Sequence, residues 1–368
     1  RLVEIINNLG YSVTAEDELE QTEESENDGP PKLSGKVSAH SSMSMEKQTF
    51  VKFDYHLEPK HTHSVQALLK VDKHIWSGCR DGFISVWDEN GIFVQNIKAH
   101  KKGVFCLQRN ANLVVSASDD GTINAFDIGK DNKLHKIYKP SSSKKEPPSI
   151  RSLLAIREFS DLDSSTKHVR FLSGDANGNV ILWKIPKKVS AKKVTRTLII
   201  SFDEVVNCMF QEGDSIWIGL LGKIYVIDLT GRIIASWTAH EGPVNGFSSF
   251  GPYIWSAGHD RQVGVWDSRK ILDYQNGCPA EKMIGAHTSR VFTIERIGNY
   301  MVSGSFDQSI IIYDAKTWEV LQEEKKHKDG VRSLVSVNDQ TFWSGSMQGD
   351  ASIGVWSVEP EPESEPKK

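Results

Sequence analysis

Cysteine is scarce. The 368 residues hold four, Cys79, Cys106, Cys208 and Cys278, and no two form a C-x-x-C pair. A disulfide scaffold and a zinc knuckle are therefore not expected. No run of 18 apolar residues occurs, so no membrane-spanning helix is expected. There is no N-x-[ST] acceptor and no charged-then-apolar leader, which points to a reducing, cytoplasmic setting. The first residue is Arg1, so we expect a piece of something longer. Catalytic signatures are missing too: no G-x-S-x-G, no H-E-x-x-H, no H-R-D loop and no D-F-G. The stretch "GLLGKI" (219–224) suggests a phosphate loop, but Trp217 stands where that motif needs its first Gly and Ile224 where it needs Ser or Thr. The chain is expected not to be an enzyme, to carry no cofactor and to bind no metal.

The two ends are acidic and the middle is not. Residues 1–48 hold 10 acids and 4 bases, and residues 357–368 hold 4 and 2. The formal charge of −4 for the whole chain thus becomes +4 for residues 49–356. Leu2, Val3, Ile5, Ile6 and Leu9 recur at helical spacing. An acidic, proline-containing segment follows, with too little apolar surface to offset the entropy of ordering it. The expected organisation is a short helix plus disordered linker over 1–48, a folded domain over 49–357, and a disordered acidic, proline-rich tail over 358–368. Within 130–196 there are 16 bases against 6 acids, a local excess read as solvated lysine loops.

The middle repeats. The clearest copy is "AHEGPVNGFSSFGPYIWSAGHDRQVGVWD" (239–267), and six imperfect copies share its plan, at a period of about 44 residues. Each reads as three short alternating strands. A His-containing loop precedes the first, the second carries a small-residue run, and a turn holding Asp leads to the third. A fourth, looser strand precedes the next loop. His61, His100, His240, His287 and His327 each fall four residues before a Val. That regularity suits structural hydrogen bonding better than metal ligation.

This pattern resembles the WD-repeat β-propeller family. The resemblance implies an all-β fold, a seven-bladed propeller of four-stranded antiparallel blades. The last copy lacks a fourth strand, and "FVKFDYHL" (50–57) alternates without another assignment. We expect that N-terminal strand to complete the last blade and close the ring. The family's hydrogen-bonded set maps onto His240, Ser256, Asp260 and Trp266 in one blade and His61, Ser77, Asp81 and Trp87 in another. Other copies depart from it. Phe126 and Tyr313 stand in the Trp place of the second and sixth, the third has Asn177 for Asp and no His, and the fourth lacks His and turn Asp together. The seventh has Asp350 after a two-residue insertion. Trp76, Trp217, Trp255 and Trp343, each just before the small run, are expected to fill space between blades.

Propellers of this type bind partners on their narrower face. Carried over blade by blade, the family's positions are Gln66, Phe105, Arg151, Asn207, Asn245, Phe292 and Arg332 at the start of strand one. Arg80, Asp119, His259 and Phe306 stand just before the turn. Arginines with aromatics make a hot-spot set for a protein or peptide, including an acidic or phosphorylated one. The loop 139–149, with Ser141, Ser142 and Ser143, is expected beside Arg151. The leading reading is a non-catalytic protein–protein interaction scaffold. A second is the C-terminal propeller of a multidomain signalling enzyme. "RLVEIINNLG" resembles the terminal helix of a kinase-like domain, and "IWIGLLGKIYVIDL" is similar to blades of Roco-type kinases. Comparable blades accompany inositol-phosphate phosphatase and Rho-exchange domains. A third is a substrate receptor of a cullin-type ubiquitin ligase, because "WDSR" (266–269) resembles the W-D-x-R box with Arg269 as contact. Phosphoinositide or nucleic-acid binding through the lysine-rich region is the weakest reading.

Overall fold

The computed structural model describes residues 50–128, 133–138, 147–157, 168–187 and 194–358. The expected helix and linker of 1–48, and the tail beyond Val358, lie outside the described residues.

The described residues form antiparallel sheets. Strands β2 (Val65–Val71), β3 (His74–Cys79), β4 (Phe83–Asp88) and β5 (Phe93–Lys98) make one, after β1 (Val51–His56). A second holds β6 (Val104–Asn110), β7 (Leu113–Ser118), β8 (Ile123–Asp127) and β9 (Lys133–Tyr138). A third holds β10 (Ile150–Ala155), β11 (His168–Asp175), β12 (Asn179–Pro186) and β13 (Thr195–Ser201). Next come β14 (Cys208–Glu212), β15 (Ser215–Gly219), β16 (Leu221–Asp228), β17 (Ile233–Phe250), β18 (Tyr253–Gly258), β19 (Val263–Asp267) and β20 (Lys282–Ile284). These seven are continuous because β17 pairs along its first half with β16 and along its second with β18. Strands β21 (Val291–Ile297), β22 (Tyr300–Ser305), β23 (Ile310–Asp314) and β24 (Val320–Glu324) make another sheet. The last is β25 (Val331–Asn338), β26 (Thr341–Ser346) and β27 (Ile353–Val358), with β1 as its fourth strand, Val51 opposite Val358. Gln322 on β24 holds the start of β1: its Oε1 accepts from Phe50 N (2.7 Å) and Val51 N (2.9 Å), and its Nε2 donates to Val51 O (2.7 Å).

The core lies between sheets. Trp76 and Ile84 of one sheet pack against Leu107 and Phe126 of the next. Val115 and Ala125 meet Phe171 and Trp183 in the same way. The pattern continues along the chain until Val335, Trp343 and Val355 pack on Val65, Ile75 and Trp87. Trp76, Trp217, Trp255 and Trp343 are all at most 1% exposed; three sit in these inter-sheet clusters, and Trp217 sits between the two halves of the seven-stranded sheet. Both faces of each sheet are thus covered, which explains why inner strands such as β7 are buried along their whole length.

Within a sheet, one hydroxyl links the polar groups. His240 Nδ1 lies 3.0 Å from both Asp260 oxygens, its Nε2 lies 2.7 Å from Ser256 Oγ, and Trp266 Nε1 donates to the same Oγ at 2.9 Å. A carboxylate only accepts, so Nδ1 carries the proton, Ser256 donates to Nε2, and the indole donates to Ser256. The set recurs with His327, Asp350, Ser344 and Trp356. In the sixth copy the Tyr313 hydroxyl meets Ser303 Oγ at 2.9 Å in place of the indole. The first copy differs. His61 Nε2 and Trp87 Nε1 both reach Ser77 Oγ at 2.9 Å, but Asp81 accepts from Thr62 Oγ1 (2.6 Å) and Phe83 N (3.0 Å) instead of from His61. In the third copy Trp183 donates to Ser173, and Asp175, two residues earlier than the anticipated Asn177, accepts from the turn amides of Asn177 and Asn179. In the fourth copy Ile218 and Ile227 take the Ser and Trp places, both fully buried, so the polar set is replaced by aliphatic packing. The residue after the turn position adopts positive φ throughout: Gly82 (85°), Gly121 (70°), Gly178 (82°) and Gly222 (78°), but also Arg261 (71°), Gln308 (71°) and Ala351 (51°). A side chain on Gly82 would bring Cβ to 2.5 Å from His100 O, so glycine is required there by contact as well as by conformation.

An unanticipated helix, Ile271–Gln275, follows β19 and leaves β20 with three residues. Tyr274 holds it. Its ring lies 5.3 Å from both Trp237 and Trp266, and its hydroxyl accepts from Asp267 N (2.7 Å) and donates to Glu281 Oε1 (3.0 Å).

Two predictions follow from the polar sets. Ser256→Ala leaves His240 Nε2 and the Trp266 indole unpaired, and is expected to cost about 2–4 kcal/mol in urea unfolding. Burial pushes His61 down to about 4 from 6.5. The unfolded chain therefore takes up that proton first, and stability is lost as pH falls from 6.5 toward 4. Lower still, burial alone would raise the carboxyls of Asp120, Asp307 and Asp350, yet bonds from His100, His287 and His327 hold them below 3.8, so a further loss follows as they protonate. Urea midpoints at pH 7.5 and 5 should fall for the native chain and fall less for His61→Gln.

Candidate functional site

The strands β2, β6, β10, β14, β17, β21 and β25 converge on one cavity of about 260 Å³. Gln66, Phe105, Arg151, Asn207, Asn245, Phe292 and Arg332 all line it. Local backbone explains six of them. The register shifts between Val65 and Ala67, Val104 and Cys106, Ile150 and Ser152, Val244 and Gly246, Val291 and Thr293, and Val331 and Ser333. The residue skipped at each shift is the cavity residue. A bulge leaves one residue out of the ladder and re-aims its side chain. The small or slim residue that follows, such as Ala67, Ser152 or Gly246, leaves the cavity open.

Arginines stack on phenylalanines around this opening. The Arg151 guanidinium lies 4.7 Å from the centre of the Phe105 ring, and that of Arg332 lies 4.7 Å from Phe292. Arg290 lies 4.5 Å from Phe306, whose ring meets Phe292 edge-on at 6.1 Å. Arg332 Nε donates to Gln66 Oε1 at 3.2 Å, and Arg151 Nη2 is 3.9 Å from Asp119 Oδ1. Asn245 Nδ2 donates to Val291 O at 2.7 Å, which fixes that amide. Also in the lining, burial pushes the Glu295 carboxyl up to about 7. It pushes the Cys106 thiol up to about 12, against the pull of Arg332 and Arg151, and raises Cys208 as well. None of the three is poised as a nucleophile or as a charged acid beside a second reactive group.

The turn residues Arg80, Asp119, His259 and Phe306 do not line the cavity. They stand in the turns that follow β3, β7, β18 and β22. Burial and the nearby Arg290 lower His259, so it is neutral at pH 7. Phe306 is 38% exposed, whereas Phe292 is 7% exposed, under two arginines. Phe292 was anticipated as a contact, and the structure makes it the platform beneath Arg332. Arg290, one residue before β21, was missed, because the repeat pattern drew attention to the position after the first Val of each strand. Glu295 was missed for the same reason.

Other anticipated features fall elsewhere. Residues 139–146, with Ser141, Ser142 and Ser143, lie outside the described residues. Arg269 is held by Asp267, Nε to Oδ1 at 2.8 Å and Nη2 to Oδ2 at 2.6 Å, so a partner reaching it meets an ion pair. His56, His327 and Asp350 bring ligand atoms within 4.8 Å of one another. Both nitrogens of His327 are already bonded, to Asp350 and Ser344, and Lys60 Nζ is 3.6 Å from Asp350, so ligation would dismantle the sheet's own polar set. Among the described residues no helix is long and apolar enough to cross a membrane.

Known proteins share the repeat and the fold. The WD domain, G-beta repeat, matches at residues 91–127, 231–267 and 280–314. A probable serine/threonine-protein kinase, pats1, of Dictyostelium discoideum is 28% identical over 318 residues, covering 80% of this chain and 9% of that protein. A WD repeat-containing protein 55 homolog of the same organism is 44% identical over 52 residues, 14% of this chain and 13% of its own length. A p21-activated protein kinase-interacting protein 1-like protein of Gallus gallus is 24% identical over 121 residues, 33% of this chain and 31% of its own. The chain thus spans under a third of each of these relatives. The crystal structure of the computationally designed Ika8 protein shares the fold, with a TM-score of 0.59 and 22% identity over 82% of this chain and 98% of that one. The chain thus carries three matched WD repeats, and the segments between them follow the same strand plan.

Proposed function

We propose that residues 49–357 form a seven-bladed propeller, closed by β1, that serves as a non-catalytic platform for a protein or peptide partner in the cytoplasm. The observation that carries the reading is the convergence of seven equivalent residues on one cavity whose mouth bears stacked arginines and an exposed phenylalanine. Rigid arginine and aromatic groups beside a small concavity are what a hot spot needs. The lining offers no nucleophile–base pair, which favours binding over chemistry. Closure is supported by the pairing of β1 with β27, the Gln322 bonds to β1 and the packing of Trp343 on Ile75.

A second reading is favoured by one observation. The kinase relative matches over 80% of this chain while the match occupies 9% of that protein. The domain is then the propeller of a multidomain signalling enzyme, and its face serves the same binding role for that enzyme. The transcript upstream of Arg1 tests this directly: a kinase or GTPase domain in frame supports it, and a start codon shortly before Arg1 removes it.

Two further outcomes are expected. Arg80→Gln, Arg332→Gln and Phe306→Ala together should abolish recovery of partners in quantitative affinity purification while leaving the melting temperature within about 2 °C of the native value, since all three replace partly exposed side chains. Partners recovered undiminished would remove this face from consideration. Deleting residues 1–58 should abolish the cooperative melting transition, because the edge of β27 and the apolar clusters around Val51 and Leu57 would meet water. A truncated chain that still melts cooperatively would sink the closure.

A further inference from the structure

We infer that the face holds a carboxylate side chain of the partner on Arg290, with an aliphatic or aromatic neighbour of that acid resting on Phe306 and Met347. The inference rests on the platform reading above and names the chemistry of what that face takes.

Arg290 is a cation without a counter-charge. It stands one residue before β21 and is partly buried. Its guanidinium lies 4.5 Å from the centre of the Phe306 ring and 5.9 Å from that of Phe292. Among the described residues its side chain makes those ring contacts and no hydrogen bond or ion pair. Burial pulls it down from its usual range, and no acid acts to push it back. An arginine stays charged through such a shift. The other arginines near the cavity are placed differently: Arg332 donates to Gln66, and Arg151 lies 3.9 Å from Asp119. The acids of the adjoining turns are already used. Asp260 accepts from His240 and from the amides of Glu241 and Gln262, and Asp307 accepts from His287 and from the amides of Thr288 and Ser309. A partly desolvated charge with no partner is a standing cost, and a bound carboxylate removes it.

Stacking makes this guanidinium ready. A planar group covered on one face by a ring keeps its N–H donors along its edge. The main chain ties the arginine to its platform, because Phe306 N donates to Arg290 O at 3.0 Å. Phe292 meets Phe306 edge-on at 6.1 Å and buttresses that ring. An arginine held in this way has less rotamer freedom to lose on binding than a loose one.

Surroundings select the carrier. Phe306 is 38% exposed, so part of its surface remains for a partner. Gly330 lies against it: a Cβ there would fall 3.3 Å from Phe306 Cδ2 and 3.1 Å from Met347 Sδ. Phenylalanine and methionine thus close over the same glycine and make one apolar floor beside the charge. A methionine adapts to the shape it touches. The charge count decides between anions. A phosphate monoester carries about −1.5 to −2 at pH 7 and is matched by clusters of arginine. Here one uncompensated arginine stands beside His259, which burial and Arg290 itself keep uncharged. The single charge of an aspartate or glutamate fits it, and an aliphatic or aromatic residue next to that acid fits the floor.

The test uses the full chain and four immobilised peptide libraries, acetylated and amidated, with one fixed central pair among random Gly, Ser and Ala: Glu-Leu, Gln-Leu, phosphoserine-Leu or Glu-Gly. Retention on Glu-Leu is expected about tenfold above Gln-Leu, the discrimination of one charge-assisted contact, and about fivefold above Glu-Gly, from burial of part of the leucine. Arg290→Gln should bring Glu-Leu down to the level of Gln-Leu. Arg290→Lys keeps the charge but not the planar fork, and should keep only part of the preference. If Arg290→Gln does not fold, the lysine variant decides: an undiminished preference overturns the role of Arg290. Gln-Leu retained as well as Glu-Leu overturns the acid, phosphoserine-Leu retained above Glu-Leu overturns the choice of carboxylate, and Glu-Gly retained as well as Glu-Leu overturns the apolar neighbour. If no library is retained, the inference is overturned whole. The platform reading falls with it only if the triple variant at Arg80, Arg332 and Phe306 also keeps its partners.

Discussion

Every sheet in this domain depends on burying both of its faces against neighbours. Four short antiparallel strands that are apolar on both faces cannot do that alone. Here apolar residues run through both faces of the inner strands, as in β7 and β22, where every residue is buried. Such a sheet is stable only between two others. The large aromatic residues serve this requirement directly. Trp76 meets Phe126 of the next sheet at 5.4 Å, and Trp255 meets Tyr313 at 5.7 Å. The array must therefore repeat, and no copy can be removed without exposing two surfaces.

Inter-sheet burial also explains why the polar set can erode. A serine hydroxyl that takes an imidazole and an indole satisfies groups that burial would otherwise strand. Where those groups are absent, nothing needs satisfying. Ile218 and Ile227 keep the shape of the fourth copy without its chemistry, and Phe202, which takes the His place, lies 4.8 Å from Tyr225. The set reads as one solution to burying polar residues in this position, and the aliphatic version as another.

The strands, their order and the positions of the cavity residues were legible in the sequence because they repeat. Seven imperfect copies expose the alternation, the turn Asp and the residue after the first Val. What does not repeat was not legible. The helix at Ile271–Gln275 depends on Tyr274 meeting two tryptophans from different strands, Trp237 of β17 and Trp266 of β19. Asp175 takes over the turn amides in the copy where the pattern pointed to Asn177. Asp81 turns to Thr62 because that hydroxyl is 2.6 Å away, a contact no alignment of copies reveals. The burial of Phe292 follows from Arg290 and Arg332 lying over it, which takes three-dimensional neighbours to see.

The bulge connects fold to function. A regular first strand would place Gln66, Phe105, Arg151, Asn245, Phe292 and Arg332 in the ladder, with side chains committed to the inter-sheet core. One extra residue per strand frees that position from pairing, and repeating it places unlike side chains at equivalent points around one opening. The backbone that creates the position is the same in each copy, whereas the side chain there is not required by packing. Amides, phenylalanines and arginines can then be distributed around the opening at little structural cost. Arg151 and Arg332 occupy two such points, and the phenylalanine that stacks on each arises from the same bulged position of an adjacent first strand, Phe105 beside Arg151 and Phe292 beside Arg332. A charged group and its platform thus come from neighbouring copies of one device.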